Sequence, residues 1–196
     1  MDRGVPYLPA AFGRAVLLVI EEGFVVVRGT SSSAARSVVT CDAGPGAVVL
    51  PPSSEEVLSA VAPARVSAIS AEVRDQLLTL PAVAKRLVEQ MSLGLAQRQE
   101  ALANFASTRH VDRVERKLLQ LARGYGHVVR DGIRIDFPIS HALLAEMVGS
   151  SRETVTRALD ELQRNGFVDR VGSTYRLLVP PHSLVGSTSG DRSHGM

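Results

Sequence analysis

A chain of 196 residues is long enough for one or two domains, and an apolar fraction of 45% is ordinary for a globular core. The formal net charge of +2 excludes a generic polycation, and the single cysteine, Cys41, excludes an intrachain disulfide and an all-cysteine iron–sulfur site, which takes about four thiolates. No run reaches the roughly 18 apolar residues of a membrane span, the first apolar run (15–20) lacks a basic leader and a cleavage site, and the five histidines are scattered without ligand spacing, so the expectation is a cytoplasmic protein with no membrane contact, no metal and no cofactor.

Residues 15–70 read as short strands. The runs 16–20 and 24–28 flank Glu21-Glu22-Gly23, a hairpin signal. Further β-branched runs at 38–41, 48–50 and 66–69 are separated by Gly, Pro, Ser and Asp, with a small-residue loop at 29–36. Strands at this spacing predict an antiparallel roll or barrel. Glu55-Glu56 reads as the solvated start of a helix. Aromatic residues make up only 4% of the chain and Trp is absent, so the core is expected to be aliphatic, with Cys41 a buried spectator.

Residues 72–106 form a long helical stretch, with Pro81 at the first position of its main helix. Leu87, Met91, Leu95, Leu102 and Phe105 recur at intervals of three, four or seven, a seam suited to pairing with a twin helix. Ordinary packing onto the strand-rich half is the alternative. A hinge follows at 107–112, then a helix marked by Val114, Leu118, Leu119 and Leu121, an exposed loop at 124–132 and a strand at 133–137. Residues 107–182 carry 12 Lys/Arg against 9 Asp/Glu, whereas residues 1–106 carry 9 against 10; the later half is the basic one, as nucleic-acid contact requires.

The most informative stretch is 139–162, ISHALLAEMVGSSRETVTRALDEL. Ser140 is placed to cap a helix whose apolar face is Leu143, Leu144, Met147 and Val148. Gly149 supplies a turn, and Ser150 or Ser151 opens a second helix that buries Val155, Leu159 and Leu162 and exposes Arg152, Glu153, Thr156, Arg157 and Asp160. This is a helix-turn-helix, whose second helix lies in the DNA major groove. Arg can donate two hydrogen bonds to guanine, and Glu can accept from the cytosine amine, which suits Arg152, Glu153 and Arg157 to base edges. Ser151 and Thr154 can hold phosphates. Glu153 has a competing role, because Ser150-x-x-Glu153 also spells a capping box. Arg152 and Arg157 have the alternative of being solvated surface. Residues 166–178 read as two strands around Gly172-Ser173, the wing of a winged helix, and 183–196 as a polar, Gly/Ser-rich disordered tail.

The run Gly149-Ser150-Ser151-Arg152-Glu153-Thr154-Val155-Thr156-Arg157 resembles the recognition-helix signature of the CRP/FNR family of bacterial transcription regulators, and the likeness runs without a gap from 139 to 162. The resemblance implies a homodimer on palindromic double-stranded DNA, with Ser140, Ser151, Arg152, Glu153, Thr154, Thr156 and Arg157 at the interface. In cyclic-AMP-responsive members the matching triplet reads a TGTGA-like half-site, so a related half-site is implied here. The resemblance also makes 17–28 the central hairpin of a sensor roll and 43–46 its glycine-containing turn. It makes Leu87, Met91, Leu95, Leu102 and Phe105 a dimerisation seam, and the loop bearing His127, Arg130 and Asp131 a contact for RNA polymerase.

Departures from the family pattern concern the ligand. Cyclic-nucleotide-binding members place a Gly-Glu pair and an Arg-Ser or Arg-Thr pair where this chain has AVVLPPSSEEVLSAVAPARV (47–66). Neither pair is present. Pro51-Pro52 lies where backbone N–H groups would cradle phosphate, and proline has none. Arg98 and Gln99 replace small hydroxyl residues near the adenine, and Arg98 is expected to fill that space. The first strands of a full roll are expected to be missing. The resulting expectation is an α+β protein: a truncated, cupin-like antiparallel β-roll over 1–80, a dimerisation helix and hinge over 81–108, a winged helix-turn-helix over 109–182 and a tail over 183–196. It would activate transcription without cyclic-nucleotide control. The alternatives are an effector-gated sensor of the same family and a ligand-binding or enzymatic β domain with a helical adaptor.

Overall fold

The computed structural model describes residues 1–2, 6–29, 37–106 and 109–178, with the side chains of Pro9 and of 100–106 excepted. The loop at 30–36, the expected tail and the side chains of Leu102 and Phe105 therefore lie outside the described residues.

The first half is a two-sheet roll. One sheet has the order β1 (Pro6–Tyr7), β6 (Glu56–Ala60), β3 (Val25–Gly29), β4 (Val38–Ala43); the other has β5 (Val48–Val49), β2 (Leu17–Glu22), β7 (Arg65–Ile69); every pairing is antiparallel. Between the sheets lie Leu18, Ile20, Val25, Val27, Cys41, Ala43, Leu58 and Ala60, an aliphatic core as composition requires. Two short strands were not legible locally: β1 is only a Pro-Tyr pair, and β6 begins at Glu56.

Two readings of this half are corrected. Glu21-Glu22-Gly23 does not close a hairpin, because β2 and β3 belong to different sheets. The chain turns the corner at Gly23, whose φ is +80° and where an added Cβ would stand 2.3 Å from the carbonyl oxygen of Pro63. Only glycine accepts both conditions. Glu55-Glu56 does not start a helix either. Leu58 and Ala60 alternate inward from a strand paired on both sides, and the Glu56 carboxylate accepts from Thr40 Oγ1 (3.0 Å) and the Ser53 N–H (3.1 Å). Burial at the sheet outweighs the local helix-start signal.

Beyond the roll come α1 (Ala71–Leu78) and α2 (Pro81–Ala106), with Pro81 opening α2 as expected. The second half is α3 (His110–Tyr125), β8 (Gly126–Val129), β9 (Gly132–Ile135), α4 (His141–Val148), α5 (Arg152–Arg164), β10 (Val168–Val171) and β11 (Thr174–Leu177), with sheet order β10-β11-β9-β8. The expected hinge is shorter than 107–112, since His110 to Asp112 are already helical. The stretch 124–132 is not a loop: Gly124 and Tyr125 end α3, and β8 pairs with β9 in register across a tight turn.

The two halves share a core. Successive side chains of β3 point to opposite faces. Val25 and Val27 enter the roll, while Phe24 and Val26, together with Val39 of β4, join Val114, Leu118, Ile135 and Phe137 of the second half. Phe24 stacks on Phe137 (centroids 3.8 Å, 12°) and meets Tyr125 edge-on (4.9 Å, 82°). Three of the eight aromatic residues thus meet at this seam. Beside them Lys117 of α3 forms a buried ion pair with Asp42 of β4, and its ammonium also reaches Gln120 (2.9 Å). At the edge, Arg28 Nε lies 2.7 Å from Glu146 of α4.

Asp42 and Lys117 are 3% and 8% exposed, so removing one partner leaves a charge without water. Lys117→Met should destabilise the protein by about 3–5 kcal/mol in urea titration, and Asp42→Asn combined with Lys117→Met should recover most of the loss. A single variant as stable as the parent would show the pair to be open to solvent.

Candidate nucleic-acid interface

α4 and α5 are set at their angle by local chemistry. Ser140 caps α4, its Oγ accepting from the Leu143 N–H at 3.0 Å. Gly149 takes the left-handed conformation (φ +61°, ψ 43°) and ends α4. Ser151 caps α5, accepting from the Thr154 N–H at 3.2 Å. The capping box read from Ser150 and Glu153 is therefore corrected: the cap is one residue later, and Ser150 Oγ instead meets His110 Nδ1 at 2.9 Å. Glu153 is left in the first turn of α5, fully exposed, where a carboxylate complements the helix dipole. Its own backbone N–H, and then the Ser151 hydroxyl, hold its carboxyl below the usual carboxylate range.

Val155, Ala158, Leu159 and Leu162 of α5 are buried against α3 and α4, which turns the other face outward. Arg152, Glu153 and Arg157 are exposed side by side on that face, with Thr156 half-buried between them. The structure brings the seven sequence-selected residues together: Ser140 and Ser151 at the two helix starts, Thr154 beside Ser151 (Oγ to Oγ1 3.0 Å), and the rest along α5. Two residues that the sequence reading missed complete the surface. His141 Nδ1 lies 2.8 Å from Thr156 Oγ1, and its Nε2 lies 3.3 Å from Arg170 Nη1 on the wing strand β10. Their separation of 29 positions leaves no periodic signal to find.

The other selected residues stand elsewhere. His127, Arg130 and Asp131 share the β8–β9 hairpin and are all exposed. Asp131 is ion-paired with Arg176, which also holds Asp169 (2.6 Å), and His127 Nε2 faces Asp136 at 3.5 Å. On α2, Met91 and Leu95 are 49% and 60% exposed, Leu87 is half-buried, and Val88, which the heptad reading omitted, is 64% exposed.

Between α2 and the roll is a cavity of about 480 Å³ with walls of Leu17, Val27, Val48, Val49, Met91 and Leu95. Arg98 does not fill it; the side chain is exposed and borders the opening. Cys41 borders it too, and burial pushes its thiol up to about 11, so the sulfur stays protonated and unreactive. Among the described residues no cluster of His, Cys, Asp or Glu fits a metal ion, and no helix is long and apolar enough to cross a membrane.

Comparison with known proteins places this surface. Residues 112–181 match the profile of the Crp-like helix-turn-helix domain. The global nitrogen regulator of Synechocystis sp. is 32% identical over 118 residues, 59% of this chain and 52% of that protein. The CRP-like cAMP-activated global transcriptional regulator of Mycobacterium tuberculosis is 28% identical over 102 residues, 52% of this chain and 46% of that protein. The chain thus spans about half the length of the curated relatives it matches. In fold, a CRP-family transcriptional regulator from Thermus thermophilus aligns with a TM-score of 0.72 at 22% identity over 94% of this chain and 93% of that one. A cyclic nucleotide-binding domain containing protein from Listeria monocytogenes aligns with a TM-score of 0.74 at 17% identity over 90% and 86%.

The two serines at the start of α5 make separable demands. Ser151→Ala should cost about 0.5–2 kcal/mol of stability by losing the cap, while Ser150→Ala should stay within about 0.5 kcal/mol, as surface changes do. Chemical denaturation of the two variants checks this, and the opposite ranking would move the cap to Ser150.

Proposed function

We propose that this chain, whose residues 112–181 match the Crp-like helix-turn-helix domain, is a CRP/FNR-family regulator: a cytoplasmic, sequence-specific DNA-binding activator, working as a homodimer on a palindromic site and contacting RNA polymerase through the β8–β9 hairpin. The carrying observation is the exposed face of α5, where Arg152, Glu153 and Arg157 project from a helix whose other face is buried. Arg donors and a Glu acceptor there match guanine and cytosine edges, and capped helix starts at Ser140 and Ser151 place hydroxyls for phosphates. Domain limits follow: the roll over 1–80, α2 and the hinge over 81–108, and the DNA-binding part over 109–182.

Control is proposed to be independent of cyclic nucleotides. A buried phosphate needs a cation and converging donors. The cavity walls are mostly aliphatic, and Arg98, an exposed side chain at its border, is the one cation among the lining residues. The same cavity favours a second reading, gating by an effector that is largely apolar, since about 480 Å³ is within the range of small-molecule sites.

Selection of bound sequences from random duplexes, with and without cell extract and with and without cyclic AMP, tests these readings together. The expected product is a two-fold palindrome with TGTGA-like half-sites whose centres lie about 34 Å apart. Arg152→Ala should cost about 1–3 kcal/mol on that duplex and relax one guanine position. Equal loss on random duplexes would make Arg152 a phosphate contact only. A gain of about tenfold or more with cyclic AMP would overturn nucleotide independence, and a gain with extract alone would favour the effector reading.

Dimerisation is assigned to the exposed apolar stripe of α2. Burying each such side chain contributes roughly 1.5–3 kcal/mol. Met91→Glu should bring like charges together near the two-fold axis and sediment as a monomer, whereas a variant that stays dimeric would place the interface elsewhere.

A further inference from the structure

His141 is held between the recognition helix and the wing. The Thr156 hydroxyl donates to the Arg152 carbonyl oxygen at 2.9 Å, so its single proton is already committed. The 2.8 Å contact with His141 must then run from Nδ1–H of the ring to the Thr156 oxygen. This fixes the tautomer of the neutral ring and leaves Nε2 as an acceptor. Arg170 Nη1 donates to it at 3.3 Å, a long and replaceable bond. The charged groups facing the ring are Arg152 and Asp160 of α5 and Arg170 of β10, two guanidiniums against one carboxylate. Partial burial, then Arg170 and Arg152, hold the imidazolium below its ordinary range, and Asp160 opposes them weakly.

A backbone phosphate reverses this balance. Phosphate is a stronger acceptor for a guanidinium than an imidazole nitrogen is, because the bond is charge-assisted on both sides. Arg170 then leaves Nε2 for the phosphate, and the freed nitrogen, now next to an anion, can take a proton from solvent and donate to the same anion. One proton enters from water to form the Nε2–H bond, and no other covalent bond changes. We propose that DNA binding is coupled to protonation of His141, the imidazolium and Arg170 of the wing together gripping a single backbone phosphate. This rests on the DNA-binding reading above, and it adds a sensitivity to pH that the base-reading face does not possess.

Binding that raises a group's pKa strengthens affinity fully below the free-state value and loses that gain as pH rises through the bound-state value. The selected palindrome should accordingly bind more weakly as pH increases from about 5.5 to about 8, the log of the association constant falling by up to about one per pH unit for each protomer. Other histidines add a background, so the decisive comparison is with His141→Gln, which can still donate to Thr156 and accept from Arg170 but cannot gain charge. Its slope should be shallower than the parent's by up to about one proton per protomer. Ring resonances of His141 in the parent protein give a readout independent of any variant: they should titrate at higher pH in the DNA complex than in the free protein. An unchanged slope in His141→Gln, or titration of the ring at the same pH free and bound, would overturn the proton coupling while leaving DNA binding intact. Failure to bind any duplex at any pH would remove the regulator reading and this inference together.

Discussion

Lys117 of α3 puts its ammonium on Asp42 of β4, deep in the seam where Phe24 lies flat on Phe137. That contact requires β4 and its neighbour β3 to serve two cores at once. Val25, Val27 and Cys41 pack inside the roll, and Phe24, Val26 and Val39 pack against the helices of the second half. A register shift lets β4 do this: Val27 opposes Cys41 but Arg28 opposes Val39, so the strand bulges at Thr40 and Val39 turns to the opposite face from Cys41. Without the bulge, alternation would send Val39 and Cys41 to the same side. The buried charges contribute orientation more than energy, because desolvating both costs about as much as their attraction returns. The aliphatic and aromatic contacts around them supply the stabilisation.

The seam also joins the cavity to the outward face of α5 by a short physical route. Cys41 borders the cavity and the adjacent Asp42 holds Lys117, so the two opposite faces of β4 touch the two places. From Lys117 the path continues through α3, which packs on α5, the helix bearing Arg152 and Arg157. Glu146 of α4 is tied to Arg28 of the roll in parallel. Two attachments on two different helices resist rotation of the second half far better than either alone. A change in the position of β4 therefore moves the Asp42 carboxylate and the Arg28 end of β3 together.

Legibility in the sequence followed the range of the interactions. The helix-turn-helix was readable because its determinants are local: Ser140, Gly149 and Ser151 lie at fixed offsets from an apolar period of three and four. The wing was readable for the same reason, a tight turn between two short alternating strands. The cap stayed open between Ser150 and Ser151 because the two are equivalent to any local rule, and the contact of Ser150 with His110, 40 positions away, separates them. The hairpin at Glu21-Glu22-Gly23 failed because a turn signal says that the chain bends and not which sheet it joins next. β6 failed because Glu55-Glu56 resembles a helix start until the partners of the strand are known. The His141–Arg170 contact and the cavity beside Arg98 arise wholly from tertiary placement, and nothing local encodes either.

The apolar lining of the cavity is a chemical choice with consequences for the rest of the chain. A pocket that takes an anion must keep donors dry and aimed, and each such donor costs free energy when nothing is bound. Here the wall on the roll side is made by Leu17, Val27, Val48, Val49 and Leu50. An apolar wall carries no such penalty when empty, so the roll can remain folded around open space with only lost dispersion contacts to offset. The cost is borne instead on α2, where Val88, Met91 and Leu95 stay largely exposed next to that space. Solvent-facing apolar side chains in a continuous stripe are stabilised only when covered. A twin helix laid along α2 would cover Met91 and Leu95 and at the same time narrow the mouth of the cavity, so that occupancy of the cavity and the fit between two copies of α2 draw on the same side chains.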